Sequence, residues 1–342
     1  MDSLEALVRV ASRWSDPDYP ARALATESTL QLDNRFTEES ITFAVNQQMD
    51  LLRKEDLTRW AATLNTTNSA CVGVLNPGNI PLVELQDFIA VVLSGHSYLG
   101  AVSSKSSFLF PAFVDDLKRE YPELRADLVS QDVLFSQASR IIAAGTDETM
   151  ALVAEKALQG GLKPEDCWLR GHRYSVAVLD GTENEDVLLD LAEDALMHGG
   201  MGCRSVAIVF APENMPIDGV LDGFSAHRSL SPAHPATVGS LKLQEAYLSA
   251  IGAPHAFDDD YQFLISRGTP DVQTPGHVRW VPYSSITEPT EFIAAHMHSI
   301  QCVFSSAELV SNHPGWEPIG QAQRPALDWH PDGKSHVSFL RR

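Results

Sequence analysis

The chain has 342 residues, of which 44% are hydrophobic and 20% charged, which is typical of a globular protein with room for two domains. Its 45 acidic and 25 basic residues give a net charge of −20, which argues against general binding to nucleic acid. No run of about 18 uncharged apolar residues and no signal-peptide pattern is present, so we expect a cytoplasmic protein without a membrane span.

The predicted elements change in kind along the chain. The first 65 residues are predicted to be helical, because apolar residues recur at three-to-four spacing after Thr and Asp caps. From Cys71 to the run IQCVFSS, short β-branched strands are followed by small-residue turns and apolar helices. This alternation predicts an α/β protein with parallel strands. Residues 225–240, rich in Ser, Pro and His, are predicted to form a loop, and the last 30 residues to be irregular.

Four turns next to strands are rich in glycine or small hydroxyl residues. They cover residues 76–79, 103–106, 145–149 and 199–203. Turns of this kind expose backbone N–H groups, which hold phosphates or oxyanions. Neither GxGxxG nor GxxxxGK[ST] occurs, so the standard nucleotide signatures are absent. Taken singly, each turn is better explained as an ordinary capped helix start.

The four cysteines differ in their surroundings. Cys71 and Cys302 lie in apolar strand patterns and Cys167 precedes an apolar pair, which predicts buried, inert thiols. Cys203 instead follows three glycines and precedes Arg204, whose charge favours the thiolate. Cys203 is therefore the best candidate nucleophile, although a structural cysteine explains the same pattern about as often. No CxxC or CxxH pair occurs, and no metal is expected.

In this order, the segments resemble the aldehyde dehydrogenase superfamily, and more closely the LuxC-like acyl-CoA reductases, the fatty-acid reductase component of bacterial bioluminescence and its relatives. The resemblance spans about residues 33–342. It rests on VGVLNPGNIPLVELQDFIAVVLSGHSYLGAVSSKSS, GTDET, RGHRYSVAVLDG, GGMGCRSVAIVFAP, IQCVF and IGQAQRPALDWHPDGKSHVSFL. It implies an α/β fold with a Rossmann-type cofactor domain over residues 1–175, a catalytic thiol domain over 176–310 and a tail over 311–342 that packs back on the site.

The resemblance also assigns site residues. Cys203 is the nucleophile, and its N–H and the amide of Asn79 hold the oxyanion. Gly145 and Thr146 pack against the dinucleotide phosphates. Apart from the resemblance, His172 and His198 are candidate proton carriers, although a histidine near a glycine turn is more often structural. The expected cofactor is NADPH, with NADH as the alternative. The residues that hold the adenosine ribose or its 2′-phosphate are Ser103, Ser104 and Lys105.

Two departures from the family pattern bear on function. The strand lysine that points at the adenosine ribose falls at Ala101, so the choice between NADPH and NADH stays open, although Lys105 could substitute. The glutamate that activates water in hydrolytic relatives falls near Arg170, where no acid is found. Without that base, a thioester intermediate is expected to resist hydrolysis.

The predicted function is reduction of acyl-CoA, or of another activated acyl group, to an aldehyde. A cysteine acyltransferase or thioesterase without a redox step is the first alternative, and Ala101 is its main support. The second alternative is a non-catalytic protein that retained the fold. Acyl chain length and oligomeric state stay open, with a homo-oligomer among the options.

Overall fold

The computed structural model describes residues 2–64 and 69–341. The chain forms two compact units, the first made of Met1–His172 with Ala326–Arg342 and the second of Arg173–Pro325. The division after His172 lies three residues before the predicted boundary at residue 175. The predicted tail, residues 311–342, is shared between the two units. Within the described ranges, no helix is long and apolar enough to cross a membrane.

Helices open the first unit, as the sequence predicted. Asp2 caps the first helix by accepting from the Glu5 N–H, and Thr37 and Ser40 form a reciprocal capping box at the third. Their apolar faces join a core with the helices of the following sheet. The four helices are α1 (Ser3–Trp14), α2 (Pro20–Leu30), α3 (Glu38–Leu51) and α4 (Lys54–Leu64).

A five-stranded parallel sheet follows in the first unit. Its strands are β1 (Cys71–Leu75), β2 (Ser97–Ala101), β3 (Ala126–Leu128), β4 (Arg140–Ala144) and β5 (Cys167–Arg170). The helices between them are α5 (Leu85–Leu93), α6 (Leu109–Glu120), α7 (Gln131–Gln137) and α8 (Asp147–Gln159).

The strand order of this sheet is β3-β2-β1-β4-β5. The order reverses between β1 and β4, and α/β sheets bind ligands beyond the carboxyl ends of the strands at such a switch point. The turns at 76–79, 103–106 and 145–149 follow β1, β2 and β4, so all three lie at this edge.

The second unit is built on a seven-stranded sheet with the order β12-β11-β6-β7-β10-β9-β8, in which β8 alone runs antiparallel to its neighbour. Its strands are β6 (Tyr174–Val178), β7 (Val206–Pro212), β8 (His255–Phe257), β9 (Leu264–Arg267), β10 (His277–Tyr283), β11 (Ile300–Ser305) and β12 (Glu317–Pro318). Its helices are α9 (Glu185–Leu196), α10 (Asp218–Leu230), α11 (Pro235–Ala250), α12 (Thr287–His296) and α13 (Ala307–Asn312). The predicted α/β class is confirmed.

The predicted loop over residues 225–240 is wrong for most of its length, because only residues 231–234 separate α10 from α11. Pro235 is the first residue of α11, where a missing N–H leaves no hydrogen bond unmade. The ring nitrogen Nδ1 of His234 accepts from the Ala236 N–H at 3.2 Å and caps that helix. The Ser, Pro and His residues thus mark a helix end and a helix start.

The segment 326–341 packs on α5 in the first unit. Gln86 donates to two of its backbone carbonyls, at 3.0 and 2.9 Å. The Nε2 atom of His336 lies 2.7 Å from Oδ1 of Asp87. Between residues 313 and 341 the chain is irregular apart from β12, a 3₁₀ turn at Pro331–Gly333 and one short helix, α14 (His336–Leu340).

Candidate active site

Cys203 lies in the loop that joins α9 to β7 in the second unit. The loop backbone is left-handed at three successive residues, His198, Gly199 and Gly200, with φ values of 54°, 65° and 73°. This conformation costs an L side chain about 1–2 kcal/mol, which glycine avoids at two of the three positions. A Cβ atom on Gly200 would also lie 3.0 Å from the backbone nitrogen of Gly276. The sharp bend before Cys203 therefore requires glycine.

The four thiols differ in accessibility. Cys203 is exposed, Cys302 is buried, and Cys71 and Cys167 are half-buried. The prediction of an inert, buried thiol is confirmed for Cys302. It is wrong in part for Cys71 and Cys167, which stand at the first positions of their strands. Burial raises the pKa of both half-buried thiols and raises that of Cys302 to about 12, so all three form the nucleophilic thiolate less readily.

Two serines hold the backbone of the thiol loop. The hydroxyl of Ser175 on β6 donates to the Cys203 carbonyl at 3.0 Å and accepts from the Cys302 N–H at 3.1 Å. The hydroxyl of Ser205 accepts from the Gly202 N–H at 3.2 Å. Hydrogen bonds on both sides of its Cα atom therefore fix the Cys203 backbone.

Arg204 anchors the same loop from its buried side. Its guanidinium bonds both carboxylate oxygens of Glu317, at 3.2 and 2.7 Å, and two carbonyls of the segment 317–322, each at 2.8 Å. It also lies 3.0 Å from the sulfur of Cys302. We predicted that this charge favours the Cys203 thiolate. The direct carboxylate partner is instead Glu317, and Cys203 interacts with the guanidinium as a neighbouring charge.

Asp194, in the last turn of α9, binds that segment as well. Its carboxylate accepts from the N–H groups of Gly320 and Ala322, at 2.6 and 2.9 Å. Burial outweighs these bonds and raises the pKa of Asp194 to about 7. Neither Asp194 nor Glu317 stood out in the sequence. The available signal was the tail motif IGQAQRP, to which Asp194 binds and near which Glu317 lies.

The two candidate proton carriers lie in different units. His172 is exposed at the end of the first unit, and its backbone N–H donates to the Asp147 carboxylate at 2.9 Å. His198 is buried in the thiol loop, and burial lowers its pKa to about 4. The imidazole of His198 is therefore neutral at pH 7.

The turns after β1 and β2 pack together in the first unit. A Cβ atom on Gly78 would lie 2.2 Å from the hydroxyl oxygen of Ser103, so glycine permits the contact. The Ser103 hydroxyl accepts from the Lys105 N–H at 3.3 Å at the start of a short 3₁₀ helix. Asn79 is half-buried, whereas Ser104 and Lys105 are exposed. The predicted oxyanion residue and ribose residues thus share one part of the sheet edge.

Gly145 and Thr146 stand at the start of α8. The Gly145 N–H donates to the carbonyl of Arg170 at 3.1 Å, and the Thr146 hydroxyl accepts from the Thr149 N–H at 3.3 Å. The N-terminal end of a helix favours an anion. Thr146 is exposed there, which suits contact with a phosphate.

Two carboxylates follow in the first turn of α8. Asp147 accepts from the backbone of His172, and its Oδ1 atom would lie 2.2 Å from a Cβ on Gly171. The pKa of Glu148 is lowered, first by its own backbone and then by Thr146. Both side chains therefore engage nearby groups of the first unit, and their charge weakens the attraction of this helix end for phosphate.

Arg170, near which the resemblance places the water-activating glutamate of hydrolytic relatives, belongs to a buried ion pair. Arg170 bonds both oxygens of Asp87, and His336 bonds one of them. Burial opposes the Asp87 charge, but Arg170 and His336 outweigh it and lower the pKa to about 2. A guanidinium has no acceptor and keeps its proton, so it cannot activate water as a base.

Comparison with known proteins identifies the fold. No protein-family model and no curated protein matches the chain. Among solved structures, a methylmalonate-semialdehyde dehydrogenase from Oceanimonas doudoroffii has a TM-score of 0.74 at 12% identity, over 100% of this chain and 85% of that one. An oxidoreductase from Marinobacter aquaeolei has a TM-score of 0.74 at 10% identity, over 99% and 83% of the two chains.

A third similar structure is a NAD-dependent benzaldehyde dehydrogenase from Corynebacterium glutamicum, with a TM-score of 0.69 at 12% identity over 95% of this chain and 83% of that one. At such low identity these matches establish the fold, and the function must be argued from the site. The predicted aldehyde-dehydrogenase-like α/β fold is confirmed.

Proposed function

We propose that this protein is an acyl-CoA reductase, in which Cys203 accepts the acyl group as a thioester that is then reduced with NAD(P)H to an aldehyde. The observation that carries the proposal is the exposed thiol on a loop held by glycine conformations, by two serines and by Arg204. The resemblance to LuxC-like reductases gives the direction of the reaction. The shared fold with a NAD-dependent dehydrogenase supports the cofactor class.

In the first step, the Cys203 thiolate attacks the carbonyl carbon of acyl-CoA. A carbon–sulfur bond forms, and the carbonyl oxygen becomes an oxyanion. The Cys203 N–H and the Asn79 amide are the proposed donors, and one such donor contributes about 3 kcal/mol, or ~10²-fold in rate. The CoA thiolate then leaves and takes up a proton, for which His172 is the proposed carrier.

The first unit offers residues that fit a dinucleotide at the switch point of its sheet. Gly145 and Thr146 suit the phosphates, and the exposed ammonium of Lys105 suits a 2′-phosphate, which favours NADPH over NADH. When bound, the reduced nicotinamide would supply a hydride to the acyl carbon. The carbon–sulfur bond to Cys203 then breaks, which releases the aldehyde and regenerates the Cys203 thiolate. Ser103 and Ser104 are the proposed ribose contacts.

The Arg170–Asp87 pair supports reduction over hydrolysis. A hydrolytic enzyme needs a base that activates water beside the thioester, and a guanidinium bonded to a carboxylate does not supply one. The acyl-enzyme therefore persists long enough to be reduced.

Ala101 favours a second candidate, a cysteine acyltransferase or thioesterase without a redox step. This residue ends β2 and is buried at 6% exposure, where relatives carry a lysine that points at the adenosine ribose. Its methyl group offers a cofactor no polar contact. The two candidates share the acylation of Cys203 and differ in the use of NAD(P)H.

Intact-mass measurement with a panel of short to long acyl-CoAs tests the proposal. We expect one acyl group on the wild-type protein and none on Cys203→Ala, with NADPH oxidation reduced by at least ~10³-fold. Cys167→Ala is the matched control, because that thiol is half-buried, and it is expected to behave as the wild type. Equal acylation of Cys203→Ala contradicts the proposal. Acylation of Cys203 without NADPH or NADH oxidation favours the second candidate.

A further inference from the structure

A buried carboxyl group lies in the turn that carries Asn79. The turn at 76–79 continues to Glu84, which ends this segment of residues 76–84 at the N-cap position of α5. The Glu84 side chain makes no capping hydrogen bond. It is 0% exposed, and among the described residues neither of its carboxyl oxygens has a hydrogen-bond partner. The buried hydroxyl of Ser106, on the turn after β2, also has none there. Buried polar groups without partners destabilise a fold, so their presence calls for a reason.

Among the residues that the structure describes, no cation bonds the carboxyl group of Glu84. Burial dominates and raises the pKa of Glu84 to about 8, although its own backbone and, less strongly, the Ser106 hydroxyl favour the carboxylate. At pH 7 the group is therefore mainly the neutral acid. The titratable and charged side chains around it are Tyr98 on β2, Asp87 on α5 with its partners Arg170 and His336, and the exposed Lys105 on the turn of Ser106.

The same turn is fixed at its other end by Tyr98. The Asn76 side-chain amide donates to the Tyr98 hydroxyl at 2.9 Å, and the Asn76 N–H donates to the Ala101 carbonyl at 3.0 Å. The Tyr98 ring lies over Gly100, where a Cβ atom would come within 2.8 Å of the Tyr98 hydroxyl oxygen. Asn79 thus lies between an end held by hydrogen bonds and an end held by the burial of Glu84.

We propose that Glu84, as the neutral acid, is a positioning residue for Asn79, and that its ionisation displaces the turn at 76–84 together with the turn at 103–106. A buried carboxylate with no bonded cation and only weak donors is strongly unfavourable, so the ionised group moves toward water. Glu84 belongs to the turn, and its movement carries the turn with it. The catalytic part of this inference rests on the proposed function, which gives Asn79 its role at the oxyanion.

Glu84→Gln tests the proposal, because glutamine has nearly the same shape and stays neutral at all pH values. Hydrogen–deuterium exchange of residues 76–84 and 103–106 is measured for both proteins at pH 7 and pH 9. Comparison at equal pH cancels the intrinsic change in exchange rate. We expect Glu84→Gln to be more protected than the wild type at both pH values, and the ratio of the two protections to be about tenfold larger at pH 9 than at pH 7. The reason is that the pKa of Glu84 is about 8 when the group is buried and 4.5 when the turn opens to water. Glu55→Gln, a change to an exposed carboxylate on α4, is expected to behave as the wild type.

The acylation rate gives the functional readout. The ratio of the Glu84→Gln rate to the wild-type rate is expected to rise from about 1 at pH 7 to about 10 at pH 9, while the Cys203 titration cancels in the ratio. Equal exchange of the two proteins at pH 9 overturns the inference. Divergent exchange with no acylation of either protein leaves the inference about the turn standing and contradicts the proposed function.

Ser106→Ala provides a second test that does not depend on the folding of Glu84→Gln. Ser106 lowers the pKa of Glu84, so its removal is expected to move the alkaline loss of protection to higher pH. An unchanged midpoint in Ser106→Ala contradicts the proposed link between the two turns.

Discussion

The Gly145 turn and the Cys203 loop are both bends rich in small residues, but they are held in different ways. The Gly145 turn is capped by Thr146, which bonds a residue three positions away. The Cys203 loop is held by Ser175, 28 residues earlier in the chain, and by the bond of Arg204 to Glu317, 113 residues later. The bonds of the first bend reach no farther than Arg170 and His172, 25 residues later, whereas the second bend acquires its shape only when the whole unit folds.

The contrast predicts that damage to the Cys203 loop spreads through the second unit. Gly200→Ala introduces a Cβ at φ 73°, within 3.0 Å of a backbone nitrogen. We expect the free energy of unfolding to fall by roughly 3 kcal/mol, measured by urea denaturation. Gly239→Ala, at an open position inside α11, is the matched control and is expected to stabilise by about 0.5–1 kcal/mol. Equal effects of the two substitutions would show that the loop tolerates a side chain.

Arg204→Lys tests the long-range anchor directly. A lysine cannot bond Glu317, two carbonyls and a sulfur at once, so we expect a loss of about 2 kcal/mol in the free energy of unfolding. We also expect a changed rate of Cys203 alkylation by iodoacetamide. The control is Arg59→Lys, whose side chain is 66% exposed and pairs with Asp56, and we expect it to change stability by less than about 0.5 kcal/mol. Unchanged stability and alkylation in Arg204→Lys would argue that the anchor is dispensable.

Thr146→Ala tests the local bend. Loss of the cap on α8 is expected to lower the free energy of unfolding by about 1 kcal/mol, while Thr146→Ser retains the cap and most of the stability. Alkylation of Cys203 serves as the comparison measurement and should stay at the wild-type rate. A loss in Thr146→Ala as large as that in Gly200→Ala would remove the distinction between the two bends.

The parts of the fold that were predictable from the sequence are those fixed by local patterns. The runs around β1 with α5 and around β4 with α8 combine β-branched strands, a small-residue turn and an apolar helical period, and each formed as predicted. The prediction of a loop over residues 225–240 was wrong because it followed the Ser, Pro and His content of the segment and not the two helix-end signals within it.

In the candidate site, the thiol that the sequence singled out is exposed, whereas the residues that hold its loop were less predictable. The glycines before Cys203 distinguished it from the other cysteines; it is exposed in the structure, and its role as the nucleophile stays a prediction. The partners Asp194 and Glu317 were not identified, because a carboxyl group obtains its environment from residues more than 100 positions away in the sequence. Nothing in the sequence distinguished Glu84 from other acids near a helix start, because its burial depends on the packing of the folded unit.

The return of the segment 326–341 to the first unit sets an order on synthesis at the ribosome. His96 and Arg140 bond the carbonyl of Leu340, so contacts of the first unit wait for about 200 residues of later translation. Until then, the buried carboxylate of Asp87 can pair with Arg170 but not with His336. The nascent first unit is thus incomplete while the entire second unit emerges, and a premature stop after Pro325 would harm the sheet made first and not the one made last.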